Sequence, residues 1–250
     1  MKKLINLSVI LFILSVFFSC GNDSSESINY LIMEMKLVNI SQLDTTNYTF
    51  SYQEGKLKEA QVIGRGINRS YTAQFDANGK VIDAGNKRYE WDGDQLIKIT
   101  DDNGIWTDLT YNGDKLVMGE YFDYDQNNDI RKLGSYTIND NGTNLSAIDN
   151  ANASDVVFAK HTFSNFDNKV NLFKAIWWFQ YVGEDLGALR SGALPEAFFM
   201  ENNPGSYKYE LPQQQFERTI NYSYTYDEQG RVILVEYDVG VNSFELILSY

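Results

Sequence analysis

The sequence predicts an all-β domain, an antiparallel meander of a dozen or more strands curled into a barrel or half-barrel. In two stretches aromatic residues alternate with Ser and Thr, a period of two that is typical of a sheet with one wet face. The alternating aromatic residues are Tyr48, Phe50 and Tyr52 in the first stretch and Tyr222, Tyr224 and Tyr226 in the second. Only three prolines interrupt the 250 residues, which favours long, continuous strand pairing.

A repeated turn pattern supports the meander. Six stretches share an aromatic or β-branched residue, an acidic or amide turn, a glycine, and then Leu or Val. They are Tyr52…Gly55…Leu57, Phe75…Gly79…Val81, Trp91…Gly93…Leu96, Tyr111…Gly113…Leu116, Ile138…Gly142…Leu145 and Tyr226…Gly230…Val232. Because a glycine after a polar turn favours a tight reversal, each stretch predicts one β-hairpin.

Turn length predicts which residues face each other in four of these hairpins. Two-residue turns at Asp92-Gly93 and Asn112-Gly113 would set Tyr89 opposite Leu96 and Leu109 opposite Leu116. Three-residue turns ending in Gly79 and Gly230 predict a positive φ at both glycines. They would set Phe75 opposite Val81 and Tyr226 opposite Val232, with Asp76 and Asp227 facing Lys80 and Arg231.

One segment departs from the strand period. From Asn171 the apolar residues Leu172, Phe173, Ile176, Trp177 and Tyr181 fall at helical spacing, and Leu186, Leu189 and Leu194 continue the pattern less regularly. This spacing predicts a short helical insert at about 171–200. An insert of this length would plug or cover one end of a sheet that curls on itself.

The N-terminus predicts export. Residues 1–19 combine two lysines with an apolar run shorter than the ~20 residues of a membrane-spanning helix, which is typical of a signal peptide. The only cysteine, Cys20, follows directly, and Phe17-Phe18-Ser19-Cys20 resembles the lipobox of bacterial lipoproteins, with Phe17 where Leu is usual. We therefore predict a lipidated Cys20, a flexible tether over 20–29, and a single β domain over 30–250. An ordinary signal peptide with a cysteine there by chance is the alternative.

Charge narrows the possible partners. Cleavage removes two lysines and no acid, which leaves 19 basic and 34 acidic residues and a net charge of −15. Such a surface repels phosphate backbones and anionic headgroups, so we expect no nucleic-acid partner and membrane attachment through the lipid alone. The mature chain has no cysteine left for a disulfide, so its stability must come from burial.

The hairpin pattern, most clearly Tyr222-Ser-Tyr-Thr-Tyr-Asp-Glu-Gln-Gly-Arg-Val232, resembles the YD/RHS-like repeats of bacterial surface and toxin-shell proteins. Over roughly residues 33–250 the layout is similar to a Bacteroidota lipoprotein family of unknown function. Asn171-Leu172-Phe173 and Asn202-Asn203 match that family's segments around a helical insert, with Leu172 where Pro is commoner. The resemblance implies a porin-like sheet and an outer-membrane lipoprotein that is periplasmic or exposed at the cell surface. It assigns no catalytic residue.

Candidate chemical sites are few. His161 is the sole histidine, too few for a His-rich metal site, and we interpret it as a strand residue rather than a catalytic one. Asp123, Asp125, Asn127 and Asp129 resemble half of a calcium loop, but Asn128 and Gly134 stand where glycine and a carboxylate are needed, so a solvated turn is the preferred interpretation. Nucleotide and nucleophile motifs are absent from the sequence, and we expect no cofactor.

Three functions remain open from the sequence. The preferred one is a non-enzymatic envelope lipoprotein that binds a glycan or a protein. The alternatives are a glycan hydrolase that uses a carboxylate pair and a scaffold subunit of an envelope complex. We expect the polar residues of any site to lie at the barrel mouth, under the 171–200 insert. An integral membrane barrel is disfavoured because most strands look nearer six residues than the ~9–11 that span a bilayer.

Overall fold

The computed structural model describes residues 31–64, 66–140, 142, 144–171, 174–181 and 200–250, and within them the chain forms a closed barrel of sixteen antiparallel strands. Each strand pairs with its neighbours in sequence, and β1 pairs with β16 from Glu34↔Ser249 to Asn39↔Phe244. This confirms the predicted all-β meander. Of the two predicted forms, a barrel and a half-barrel, the sheet adopts the closed barrel. The signal peptide, Cys20, the tether and residues 182–199 lie outside the described residues.

The strands are β1 Glu34–Asn39, β2 Asp44–Gln53, β3 Lys56–Gly64, β4 Ile67–Phe75, β5 Val81–Ala84, β6 Lys87–Asp92, β7 Gln95–Asp101, β8 Trp106–Asn112, β9 Lys115–Tyr124, β10 Ile130–Asp140, β11 Leu145–Asn152, β12 Val157–Ser164, β13 Ser206–Leu211, β14 Phe216–Tyr226, β15 Val232–Val239 and β16 Asn242–Ser249. Two 3₁₀ helices, Lys174–Tyr181 and Pro212–Gln214, complete the described elements.

The two ends of the barrel differ because strand direction alternates around the wall. The turns of the six repeated hairpins follow β2, β4, β6, β8, β10 and β14, so all of them lie at one end. The long connection from β12 to β13 lies at this end too, as do Leu31 and Tyr250. We call it the insert end and the opposite one the far end. Because each repeat unit is a hairpin of two antiparallel strands, the turns of successive units lie at the same end of the barrel.

The wall alternates as the sequence predicts. Tyr48 and Phe50 point inward and are at most 1% exposed, whereas Thr49 and Ser51 between them are exposed. The outer face carries cross-strand ion pairs, such as Lys98–Asp108 at 3.8 Å and Lys132–Glu120 at 3.0 Å. A lysine facing hydrocarbon at mid-bilayer would cost about 2–4 kcal/mol, so this face is suited to water.

Strand length, by contrast, gives no argument against a barrel that spans a membrane. The prediction that most strands have about six residues is wrong, since ten of the sixteen described strands have eight or more, and β2, β3, β4, β9, β10 and β14 have 9 to 11. The prediction that the barrel does not face lipid therefore rests on the outward charges. Among the described residues, the structure contains no helix with the length and apolarity needed to span a membrane.

The described part of the insert packs inside the barrel. A sixteen-strand barrel has a wide lumen that side chains from the wall alone do not fill. The 3₁₀ helix Lys174–Tyr181 enters it and buries Ile176, Trp178 and Phe179, each 1% exposed. Phe179 packs edge-on against three rings of the wall, with the Phe50 centroid 5.5 Å away. The predicted plug is confirmed for 174–181, as 3₁₀ rather than α helix.

The three-residue turns have the predicted geometry. Gly79 and Gly230 have φ of 75° and 79°, and Phe75 pairs with Val81 as Tyr226 pairs with Val232. In the second turn the backbone N–H of Asp227 donates to the Arg231 carbonyl at 2.9 Å. The Arg231 guanidinium closes the loop on the Asp227 carboxylate at 2.7 Å.

The register predicted for the two-residue turns is wrong. The structure pairs Trp91 with Leu96, and Tyr111 with Leu116, so Tyr89 and Leu109 lie further from their turns. The reason is that the two turn residues lie one position later, at Gly93-Asp94 and Gly113-Asp114, because Asp92 pairs with Gln95 and Asn112 with Lys115. Beyond these pairs a β-bulge in the strand after each turn shifts the register by one more residue.

Candidate ligand-binding cavity at the insert end

A cavity of about 550 Å³ at the insert end combines aromatic and charged walls. Its aromatic and aliphatic wall comprises Trp91, Tyr111, Trp177, Leu96, Leu109 and Leu116. Its polar rim comprises Asp94, Asp114, Asp140, Glu201, Lys115 and Asn144. This is where the sequence places the polar residues of a site, under the insert at the barrel mouth.

The aromatic wall is held rigidly. Trp91 donates its indole N–H to the Val81 carbonyl at 2.7 Å, and Tyr111 donates its hydroxyl to the Leu96 carbonyl at 3.0 Å. Trp177 contributes the third ring from the insert and meets Trp91 edge-on, with the centroids 6.1 Å apart and the planes at 87°. Rings fixed in this way lose little freedom when a ligand packs against them.

The two adjacent tryptophans of the insert point in different directions, as strand or helix geometry requires. Trp178 is 1% exposed in the barrel core, where it donates to the Leu57 carbonyl at 2.9 Å, whereas Trp177 faces the cavity. Trp106 lies on the outer wall, stacked on Phe122 at 5.6 Å.

Asn171 and Asn202, which the family resemblance singles out, close the base of the insert together with Asn144, which it does not. Asn171 donates its side-chain amide to the Met200 carbonyl at 3.2 Å. The side-chain oxygen of Asn144 accepts the backbone N–H groups of Glu201 and Asn202, both at 2.9 Å. These bonds fix the returning chain, and with it Glu201, at the cavity rim.

The charges around the cavity are paired across hairpins. Lys115 contacts both carboxylate oxygens of Asp140 at 3.1 Å, and Lys80 contacts Asp94 at 2.9 Å. Glu201 forms a short ion pair with Lys174. The lining itself holds four carboxylates against one lysine, so the cavity is acidic. That balance disfavours an anionic ligand.

The Asp140 carboxyl has a pKa below its usual range because the Gly142 backbone N–H and the Lys115 ammonium both donate to it. A general acid at neutral pH needs the opposite direction, a raised pKa. Asp140 is thus an ionised acceptor, suited to holding a ligand hydroxyl.

His161 lies inside the wall formed by β11, β12 and β13, as a strand residue. Its ring nitrogens lie 2.9 Å from the Tyr207 hydroxyl and 2.9 Å from the Asn150 side-chain amide. Burial lowers its pKa to about 4, an effect that the nearby Asp149 carboxylate partly offsets. It does not line the cavity at the insert end.

The calcium candidates lie at the far end, in the turn from β9 to β10. Asp123 pairs with Arg131 at 2.5 Å, and one Asp125 oxygen accepts the backbone N–H groups of Asn127 and Asp129 at 2.8 and 3.0 Å. The ladder is therefore engaged in turn contacts. Among the described residues, no three His, Cys, Asp or Glu side chains are grouped in a way that could hold a metal ion.

Comparison with known proteins adds similarity of fold. No family model matches the chain, and no curated protein matches it. A porin-like protein from Bacteroides uniformis shares 13% identity over 87% of this chain and 97% of its own, with a TM-score of 0.42. A porin-like protein from Bacteroides vulgatus shares 16% identity over 73% of this chain and 94% of its own, with a TM-score of 0.36. A TcdB2-TccC3-TEV structure shares 9% identity over 80% of this chain and 13% of its own, with a TM-score of 0.31. None of these similarities bears on function.

Proposed function

We propose that this protein is a non-enzymatic cell-envelope lipoprotein that binds a carbohydrate in the cavity at the insert end. The observation that carries the proposal is the combination in one cavity of three fixed aromatic rings with ionic and amide groups at the rim. Sugar rings present apolar C–H faces that pack on aromatic rings, while their hydroxyls bond to carboxylates and amides. The acidic rim favours a neutral or amino sugar over a uronic acid.

Anchoring at Cys20 remains a prediction from the sequence and belongs to this proposal. The first described residue, Leu31, lies at the insert end, eleven positions after Cys20. A tether of that length spans at most about 35–40 Å, so the cavity mouth would lie at the membrane-proximal end unless the tether folds back along the barrel. The outer membrane, on its periplasmic or surface side, is the location this arrangement fits.

The proposal is tested by a glycan array and by calorimetry on the mature protein. Trp177→Ala should weaken carbohydrate binding at least tenfold, because it removes one ring of the aromatic wall. Trp106→Ala is the matched control, since this tryptophan lies on the outer wall away from the cavity, and binding should be unchanged. Equal affinity in both variants would place the ligand elsewhere.

The same samples address the other two functions. Chromogenic glycosides turned over by the native protein, with turnover abolished by Asp114→Asn or Glu201→Gln, would establish the hydrolase and refute the binding-only role. A folded protein that neither binds nor hydrolyses any glycan of the array would refute carbohydrate binding and favour the scaffold role.

A further inference from the structure

The cavity exists because one hairpin departs from the rule that the other five obey. In each described hairpin, the last inward position before the turn follows a β-bulge and pairs with the first apolar residue after the turn. We call it the turn-flanking position. Its six pairs are Tyr52↔Leu57, Phe75↔Val81, Trp91↔Leu96, Tyr111↔Leu116, Asp140↔Leu145 and Tyr226↔Val232.

The structure therefore corrects the sequence alignment of the fifth unit. The sequence pattern places Ile138 with the aromatic residues, but Ile138 pairs with Ile148, two positions further from the turn. Asp140 occupies the turn-flanking position. A carboxylate thus stands where each of the other five hairpins has an aromatic ring.

In two hairpins the aromatic side chain at this position also donates a hydrogen bond to the first apolar residue of the preceding strand, whereas Tyr52 and Tyr226 donate to the Ile32 carbonyl and the Asp167 carboxylate. Trp91 donates to the Val81 carbonyl and Tyr111 to the Leu96 carbonyl. Each acceptor belongs to the first apolar residue after a turn. Tyr250, which ends the chain beside β15, donates in the same way to the Val232 carbonyl at 2.9 Å.

At the hairpin of Phe75 the equivalent carbonyl receives its donor from the insert. Phe75 has no hydroxyl, so it cannot serve the Leu57 carbonyl on the strand before it. There the insert supplies the donor instead, through the indole N–H of Trp178 at 2.9 Å. A donor from outside the hairpin array thus replaces the one that the wall lacks.

Asp140 itself supplies neither a ring nor a donor at the cavity. The equivalent acceptor is the Leu116 carbonyl, and an ionised carboxylate has no proton to donate to it. The Asp140 oxygens are directed instead to Lys115 at 3.1 Å and to the Gly142 N–H at 2.9 Å. The volume of a ring is missing as well, and Leu116 and Leu145 line the space.

We propose that the ligand places a hydroxyl-bearing six-membered ring in this vacated position, with one hydroxyl donating to the Leu116 carbonyl and another bonding to the Asp140–Lys115 pair. The ring would replace the missing tyrosine or tryptophan as Trp178 replaces the missing donor at Leu57. This inference deepens the proposed function, on which it rests, and names the group recognised as an uncharged pyranose ring. A phenol shares the same chemistry and serves as the rival source.

The test is Asp140→Tyr, which should restore the aromatic residue of the other hairpins and close the site. Ligand-observed NMR and tryptophan fluorescence would measure binding of methyl glycosides of glucose, galactose, mannose and N-acetylglucosamine, with methyl glucuronide and 4-methylphenol as comparison probes. We expect at least a tenfold loss of glycoside binding. Asp140→Asn, which keeps the space open, should lose less than Asp140→Tyr. Asp129→Tyr, at the exposed far end, should bind as the native protein does.

Each outcome decides a different point. Glycoside binding by Asp140→Tyr at native affinity, or glucuronide binding as tight as that of the neutral glycosides, would overturn the inference. Binding of 4-methylphenol alone, lost in Asp140→Tyr, would support the vacated ring position and refute the carbohydrate function. Circular dichroism verifies folding, and Asp140→Phe fills the same space should the tyrosine variant not fold.

Discussion

The only histidine of the chain provides a pH probe of the barrel interior. His161 is held between Asn150, whose side-chain N–H donates to Nε2, and Tyr207, whose hydroxyl accepts from Nδ1. Both contacts suit the neutral ring. Protonation of Nε2 would set a second donor against the Asn150 amide, in a wall where burial already disfavours the cation.

The size of the effect follows from the pKa. Burial lowers the His161 pKa from 6.5 to about 4 in the folded protein. The unfolded chain therefore binds a proton below pH 6.5 that the folded chain does not, and stability falls as the pH falls from 6.5 towards 4. With about 1.4 kcal/mol per pKa unit, the loss is about 2 kcal/mol at pH 5 and about 3 kcal/mol below pH 4.

Urea unfolding of the mature protein and of His161→Gln, at pH 7.5 and pH 5, measures this loss. Gln retains an acceptor and a donor but does not titrate, so the native protein should lose about 2 kcal/mol more than the variant between the two pH values. Asp76 and Asp227, whose pKa values lie below the usual range, affect stability only at lower pH. Equal losses in both proteins would refute the buried, neutral His161.

Three further predictions concern the plug, a turn and the anchor. Trp178→Phe should lower the unfolding free energy by about 2–3 kcal/mol, since the Leu57 carbonyl loses its donor and a buried ring shrinks. Adding Phe75→Tyr to Trp178→Phe should restore about 1 kcal/mol of the unfolding free energy, but the same change in the native chain should not. An equal effect in both, measured by urea unfolding, would contradict the idea that the two side chains share the Leu57 carbonyl. Gly230→Val should cost about 1–2 kcal/mol because φ is 79°, and an unchanged melting midpoint would count against it. The Cys20→Ala variant should no longer be found in the membrane fraction. If this variant stays associated with the membrane and the native protein is not labelled by palmitate, lipidation of Cys20 is excluded.

One sequence signal predicts five of the turns, two at the insert end and three at the far end. Three turns at the far end repeat the arrangement of Asp76 and Asp227, in which a side-chain oxygen accepts the backbone N–H groups two and four residues on. They begin at Asp101, Asp125 and Asn152, and their fourth residues, Gly104, Asn128 and Asp155, all have positive φ. The calcium-like ladder at 123–129 is one of these turns. Asp or Asn followed three residues later by Gly, Asn or Asp would have predicted all five.

Asp140 shows the opposite case, in which local sequence misleads. Ile138 is apolar and precedes a Gly-containing turn, so it matches the repeat in the sequence. The structure pairs Asp140 with Leu145, whereas Ile138, on the same face of β10, pairs with Ile148. The interval of five residues to the first apolar residue after the turn, as from Tyr52 to Leu57, identifies Asp140, but residue type favours Ile138. The candidate cavity could therefore be placed at the insert end from the sequence, but residue type alone does not identify the side chain that flanks the turn.

The sequence by itself determined the wall of this protein, because strand alternation and turn chemistry act between residues a few positions apart. It also determined that the repeated turns share one end, since each unit is a hairpin. Only the tertiary structure decided barrel closure, where Glu34 meets Ser249, and the position of the plug, where Trp178 bonds to Leu57, 121 residues away. Closure depends on the accumulated twist and stagger of all sixteen strands, and the plug on the shape of the lumen they enclose, which no local pattern encodes.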